Sequence, residues 1–314
     1  MLKGQPMRLA FFYARDNGTR MRIVNANGIE LAFDSFGNEN HLAMLLIAGL
    51  GTQRIRWSDA FCKGLAERGH RVIRFDNRDA GESTHLTDSG VPDFNTLRSD
   101  LMSGRKPEVP YALSDMAMDA VSLLDQLSIE RAHIVGRSMG GMIAQIIASE
   151  HSTRVLSLTS IMSGTGNPIL PQAAPDVMAM MMQPAPNPSV DLEGFVANQT
   201  AFARRIAGTG YIFDESAHRA IILEELRRAY DPGGTARQIA AIATAGDRRA
   251  RLHTITAPTL VIHGTDDPLI PPACGEDTTS SIPNARLMLI EGMGHEIPPE
   301  FCDVILDAIH LIAS

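Results

Sequence analysis

Ser138 stands in Gly136-Arg137-Ser138-Met139-Gly140, a G-x-S-x-G. A serine hydroxyl attacks a carbonyl well only when a base takes its proton, and that base needs an acid to orient it. Two later stretches hold groups of the right kind. One is Gly264-Thr265-Asp266-Asp267-Pro268-Leu269-Ile270-Pro271 and the other is Glu291-Gly292-Met293-Gly294-His295. An aspartate of the first and His295 of the second complete a set suited to acyl transfer through a covalent intermediate.

That chemistry needs the serine on a sharp turn and its partners on neighbouring loops. His133 to Val135 reads as a buried strand ending at Gly136, and Met142, Ile143, Ile146 and Ile147 repeat at helical spacing after Ser138. A G-x-S-x-G between strand and helix lifts the hydroxyl above a sheet edge. The aspartates follow a strand at Thr259 to His263, and His295 follows one at Ala285 to Ile290. In a doubly wound sheet such loops share the carboxyl edge with the serine.

The rest of the chain supplies that sheet. Arg22 to Val24 and Ile29 to Phe33 flank an Asn27-Gly28 turn and read as a hairpin. A nearly continuous apolar run, His41 to Ala48, suits a strand covered on both faces. A helix capped by Ser58, a strand at Arg71 to Phe75, an irregular stretch over 84–112 and a helix capped by Ser114 follow. After the serine come a strand at Val155 to Ile161, and near the end a short helix at Gly275 to Ser281 and a helix from Pro299 to Ile312. Alternating strands and helices predict an α/β fold with a mostly parallel, doubly wound sheet. Between residues 164 and 234 no strand fits and prolines punctuate the first part. The expected organisation is an N-terminal extension over 1–20, an α/β core over 21–163 and 235–314, and an inserted helical cap over 164–234.

Composition narrows the function classes. A net charge of −8 argues against nucleic-acid binding. No run reaches the roughly 18 apolar residues of a membrane helix. The apolar stretch Leu9 to Ala14 is short for a secretory signal, so a cytoplasmic protein is expected. Cys62, Cys274 and Cys302 lie far apart and read as reduced thiols. Gly49-Leu50-Gly51 mimics a dinucleotide loop, but Arg54 occupies the third glycine position. No H-E-x-x-H spacing appears, so neither metal nor cofactor is expected. His70, His133, His263 and His310 read as structural histidines. Assembly as a homodimer is left open.

From Arg20 onward the chain resembles the α/β-hydrolase superfamily. The elbow, Gly264-x-x-Asp267-x-x-x-Pro271 and Gly292-x-Gly294-His295 match its motifs in the order Ser, Asp, His. The resemblance implies Ser138 as nucleophile, His295 as base and Asp267, rather than Asp266, as acid. It also implies an oxyanion hole of backbone N–H groups from Met139 and Leu50, although Ala48-Gly49 stands where many relatives have His-Gly. The loop Asp76-x-Arg78-x-x-Gly81-x-Ser83 resembles the family's Asp-x-Arg-Gly-x-Gly-x-Ser, with Asp79 replacing a glycine. With Gly49-Leu50-Gly51 and Trp57, this variant is most similar to aclacinomycin methylesterase-like enzymes, which cleave a methyl ester on a bulky polyketide.

The expected partner is therefore a small-molecule ester of a medium or bulky apolar acid, such as a polyketide or macrolide ester or lactone. Gly49, Trp57, Met178 and Met181 are expected substrate contacts, while the residue types of Trp57 and His85 suit ordinary packing as well as a pocket lining. The same triad also serves C–C bond hydrolysis, thioester cleavage and perhydrolysis. A ligand receptor on the same fold, with little turnover, is the reading from another class.

Overall fold

The computed structural model describes residues 21–314, so the extension read over 1–20 lies outside the described residues. The chain runs β1 (Arg22–Ala26), β2 (Ile29–Phe36), β3 (Ala43–Ile47), α1 (Asp59–Glu67), β4 (Arg71–Phe75), α2 (Phe94–Met102), α3 (Leu113–Gln126), β5 (Ala132–Arg137), α4 (Met139–Glu150) and β6 (Val155–Ile161). It continues α5 (Pro175–Met182), α6 (Leu192–Ile206), α7 (Glu215–Arg228), α8 (Pro232–Thr244), α9 (Arg249–Leu252), β7 (Thr259–Gly264), α10 (Pro272–Ser281), β8 (Arg286–Ile290) and α11 (Pro299–Ala313).

The strands form one 8-stranded sheet in the order β1-β2-β4-β3-β5-β6-β7-β8. Pairings β1–β2 and β2–β4 are antiparallel and the others parallel. The mostly parallel sheet flanked by helices is the one the alternation predicts. Strand order reverses at β3: the chain first moves outward to β4, then crosses to β5 on the other side. Such a switch opens a crevice beyond the carboxyl ends of β3 and β5.

Period-two alternation sorts the core into two layers. In β3, Ala43, Leu45 and Ile47 join a cluster with α3 and α4, while Met44 and Leu46 join one with α1 and α11. Burying each large side chain stabilises the fold by roughly 1.5–3 kcal/mol. Helix α1 starts as expected, with Ser58 Oγ accepting the Phe61 N–H at 3.2 Å.

Several boundaries differ from expectation. Ser114 lies inside α3; Ala112 holds the cap position, and the Asp115 carboxylate accepts its N–H at 2.8 Å. The stretch read as irregular contains α2, capped by Asp93, which buries only Leu97 and therefore carries a weak apolar stripe. Residue 234 falls within the first turn of α8, whose start is set by Pro232. Among the described residues five helices, α5 to α9, lie between β6 and β7, and no strand lies among them. The three cysteines are unpaired, and burial pushes the Cys62 thiol up to about 12.

Candidate active site

A sharp turn joins β5 to α4. Ser138 adopts φ 54° and ψ −124°, a left-handed conformation costly for a residue with a side chain. Its N–H donates to Ile161 O at 2.9 Å, and its carbonyl accepts from Ser163 Oγ at 2.8 Å. Neighbouring β6 thus holds the serine in that conformation. Only glycine fits on either side: a Cβ at 136 would lie 2.0 Å from Gly140 O, and one at 140 would lie 2.2 Å from Ile47 O.

The loops after β7 and β8 bring the remaining groups. His295 Nε2 lies 3.0 Å from Ser138 Oγ, and Nδ1 lies 2.7 Å from Asp267 Oδ2. Asp267 Oδ1 accepts the N–H groups of Leu269 and Ile270, each at 2.9 Å. Burial alone would raise the Asp267 carboxyl. The imidazole of His295 and hydrogen bonds from His263, His295 and the Ile270 N–H outweigh it, holding the acid well below the usual carboxylate range. An ionised carboxylate only accepts, so Nδ1 of His295 carries the proton and Nε2 is free to take one from Ser138. Asp266 is turned away and accepts from the Thr209 N–H at 3.2 Å and from its hydroxyl.

The His295 loop is braced by the end of α6 as well as by the sheet. His295 N–H donates to Ile206 O at 2.6 Å and Gly294 N–H to Ala207 O at 3.0 Å, both at the end of α6. In return, Gly292 O accepts from Thr209 and Gly210.

Beyond β3, Gly49 lies against the serine: a Cβ there would sit 3.3 Å from Ser138 Cβ. Among the described residues, nothing accepts the Leu50 N–H. Met139 opens α4, where an N–H has no intrahelical acceptor. At the position where relatives carry histidine, Ala48 is buried and its carbonyl accepts from Asn77 Nδ2 at 3.0 Å.

The expected substrate contacts fare unevenly. Trp57 is 1% exposed, tilted against Phe61 at 5.3 Å and covered by the Arg137 guanidinium, the surroundings of a packed side chain. Met178 and Met181 stand exposed on α5. His85 is spent on Asp231 Oδ2 at 3.0 Å and Gly81 O at 2.9 Å. Asp79, His85 and Asp231 converge closely enough to ligate a metal, but the Arg237 guanidinium already bridges both aspartates at 2.7–2.9 Å. Asp79 has φ 64°, the left-handed conformation for which glycine is the usual residue.

A polar group beside His295 escaped the sequence reading. Glu296 accepts from the Tyr211 hydroxyl and is hydrogen-bonded to His218 Nε2 at 2.8 Å. Glu225 of α7 accepts from Arg56 Nε at 2.9 Å and Nη2 at 2.6 Å. Nothing in the spacing of these residues signals it, because α7 meets the 53–56 segment only in the folded chain.

Comparison with known proteins fits this architecture. The model for the alpha/beta hydrolase fold family matches residues 43–301. Rhodomycin D methylesterase DnrP of Streptomyces peucetius is 29% identical over 299 residues, covering 88% of this chain and 92% of that protein. A putative carbamate hydrolase, RutD of Variovorax paradoxus, is 29% identical over 266 residues, covering 84% and 89%. The solved enol-lactonase of Burkholderia xenovorans LB400 superposes with a TM-score of 0.69 at 24% identity, covering 93% of this chain and 99% of that one, and speaks for the fold alone. The elbow and the reversing sheet are therefore those of a known hydrolase architecture, and the chain belongs to the alpha/beta hydrolase fold family.

Proposed function

We propose that this hydrolase cleaves carboxylic esters through an acyl-enzyme on Ser138. The observation that carries the reading is the continuous relay Ser138–His295–Asp267 at 3.0 and 2.7 Å, set in the crevice where strand order reverses. His295 takes the hydroxyl proton as Ser138 Oγ attacks the carbonyl carbon, then returns it to the departing alcohol. Asp267 keeps the imidazole in the competent tautomer and stabilises its cation. The N–H groups of Leu50 and Met139 receive the oxyanion. Water, deprotonated by His295, then releases the acid and frees the serine.

The ester is medium or bulky and largely apolar, a reading supported by the methylesterase likeness over most of the chain. Residues 164–234 act as a cap that shapes the space above Ser138, consistent with their contacts to the His295 loop. The three unpaired cysteines support a reducing, cytoplasmic setting. Among the described residues no helix is long and apolar enough to cross a membrane.

The test is turnover of aryl and methyl esters of graded acyl length by the wild-type protein and Ser138→Ala, with fluorophosphonate labelling of the serine. Retained activity in the variant, or labelling at another residue, refutes the assignment.

A further inference from the structure

We infer that Arg137 reads a carboxylate carried by the ester, which makes the substrate an acidic half-ester rather than a neutral one. This rests on the proposed ester hydrolysis at Ser138. Arg137 ends β5 one residue before the nucleophile, on the face that Val135 shares with α1 and α11. Its guanidinium lies over the Trp57 ring at 5.4 Å, and Nη1 donates to Arg56 O at 3.3 Å. Among the described residues that is its one hydrogen bond, and no carboxylate oxygen lies within 4.0 Å.

Other buried guanidiniums each hold acceptors of their own, although Nε of Arg228 and of Arg248 is left without one. Arg74, Arg78, Arg228 and Arg237 each hold a carboxylate at 2.6–2.7 Å, and Arg54 holds that of Asp76. Arg248, which lacks one, is spent on the carbonyls of Gly164 at 2.6 Å and Gly246 at 3.3 Å. The carboxylates whose charge acts on Arg137 are Glu225 and Glu296. Glu225 is gripped by both donors of Arg56, and Glu296 by Tyr211 and His218. Neither is free for Arg137.

What remains on Arg137 is an unused pair of donors. Among the described residues Nε and Nη2 have no partner, and neither is one of the fully enclosed polar atoms, so both keep accessible surface. A planar guanidinium edge with two open N–H directions matches a carboxylate in bidentate fashion. Burial, with the charge of Arg56 beside it, pushes Arg137 down to about 10, so the cation persists at neutral pH but lacks a counter-ion. A bound carboxylate would supply that counter-ion, on the residue that precedes Ser138 in the chain.

The experiment compares monomethyl adipate with methyl heptanoate, a neutral ester of similar length. KM and kcat are read from methanol release, and binding is read by calorimetry on Ser138→Ala. The wild type is expected to have a KM for the half-ester about tenfold to a hundredfold below that for the neutral ester, the range of one charge-assisted contact. Arg137→Gln should erase that ratio with kcat affected much less, and Arg137→Lys should restore part of it. In the Ser138→Ala background, Arg137→Gln should weaken half-ester binding by the same factor.

No preference for the anion in the wild type, in turnover or in binding, overturns the assignment. So does an equal loss on both esters in a folded Arg137→Gln, which marks a purely structural role. If Arg137→Gln does not fold, the wild-type ratio and Arg137→Lys decide. Half-ester binding through Arg137 without methanol release overturns ester hydrolysis while leaving the carboxylate site standing.

Discussion

All 5 side chains of β3, Ala43 to Ile47, are buried between two layers of helices, whereas α5, with 8 residues, buries Val177 alone. The inserted helices keep a small apolar cluster of their own, Phe195, Val196 and Ile222. What fastens α7 to the core is polar. Arg228 reaches Asp76 at 2.7 Å and Glu82 at 2.9 Å, Arg56 grips Glu225, and Gln53 Nε2 donates to Glu225 O at 2.8 Å and Ala229 O at 3.1 Å. Apolar burial is non-directional and scales with area, so it builds a rigid sheet that tolerates little loss of volume. Ion pairs are directional, and few of them set the orientation of a whole helix. The two regions have different tasks: the sheet holds Ser138 at fixed geometry, and the polar seam fixes where α7 lies against the core.

The sharpest way to break this division is at the sheet's own product. Ser138→Ala should lower kcat on esters by on the order of a million-fold with the melting temperature little changed. Steady-state kinetics and calorimetry on one preparation check both halves. Next, Leu46→Ala should cost about 3–4 kcal/mol of stability, because it opens a cavity in the layer against α1 and α11. Its kcat should hold until the protein begins to unfold. A folded Leu46→Ala with altered substrate preference would blur the comparison.

Arg228→Met acts on the other side. It leaves the fully buried Asp76 with Arg54 as its remaining cation and should cost about 3 kcal/mol in urea unfolding. Unlike Leu46→Ala, it should change KM between esters of different bulk. Equal behaviour of the two variants on a substrate series would dissolve the distinction.

A smaller effect comes from pH. His133 Nδ1 is hydrogen-bonded to Ser157 Oγ at 2.9 Å, and burial, with His70 alongside, lowers its pKa from 6.5 to about 4. The unfolded chain therefore takes up a proton that the folded one refuses. This contribution is fully present above pH 6.5 and is lost progressively as pH falls towards 4. Urea midpoints at pH 7 and pH 5 should differ in the wild type, and the difference should shrink in His133→Gln. Last, Met182→Ser, at a methionine 75% exposed on α5, should change stability by no more than about 0.5 kcal/mol.

Much of the fold was legible because its signals are local. Apolar runs such as Ala43 to Ile47 and the helical repeat after Ser138 follow from covering a sheet on both faces. The elbow was legible because its glycines answer a steric demand within a few residues. Helix α2 was missed because it buries one side chain, and the α3 cap was misplaced because Asp115 reaches back to an alanine that carries no capping signal itself. Trp57 shows the limit of residue type: an indole suits a pocket or a core equally, and its neighbours Phe61 and Arg137 decide.

By itself, then, the sequence determined the sheet, the turn at Ser138 and the two loops that carry Asp267 and His295. Short-range sterics and periodic burial are written along the chain. Only the tertiary structure decided which partners those side chains have. It set His295 at 3.0 Å from Ser138, turned Asp266 towards Thr209, matched Glu225 with Arg56 and left Arg137 with two open donors. Pairing between groups far apart in sequence depends on where α7 and the loops after β7 and β8 come to rest, and spacing along the chain does not encode that.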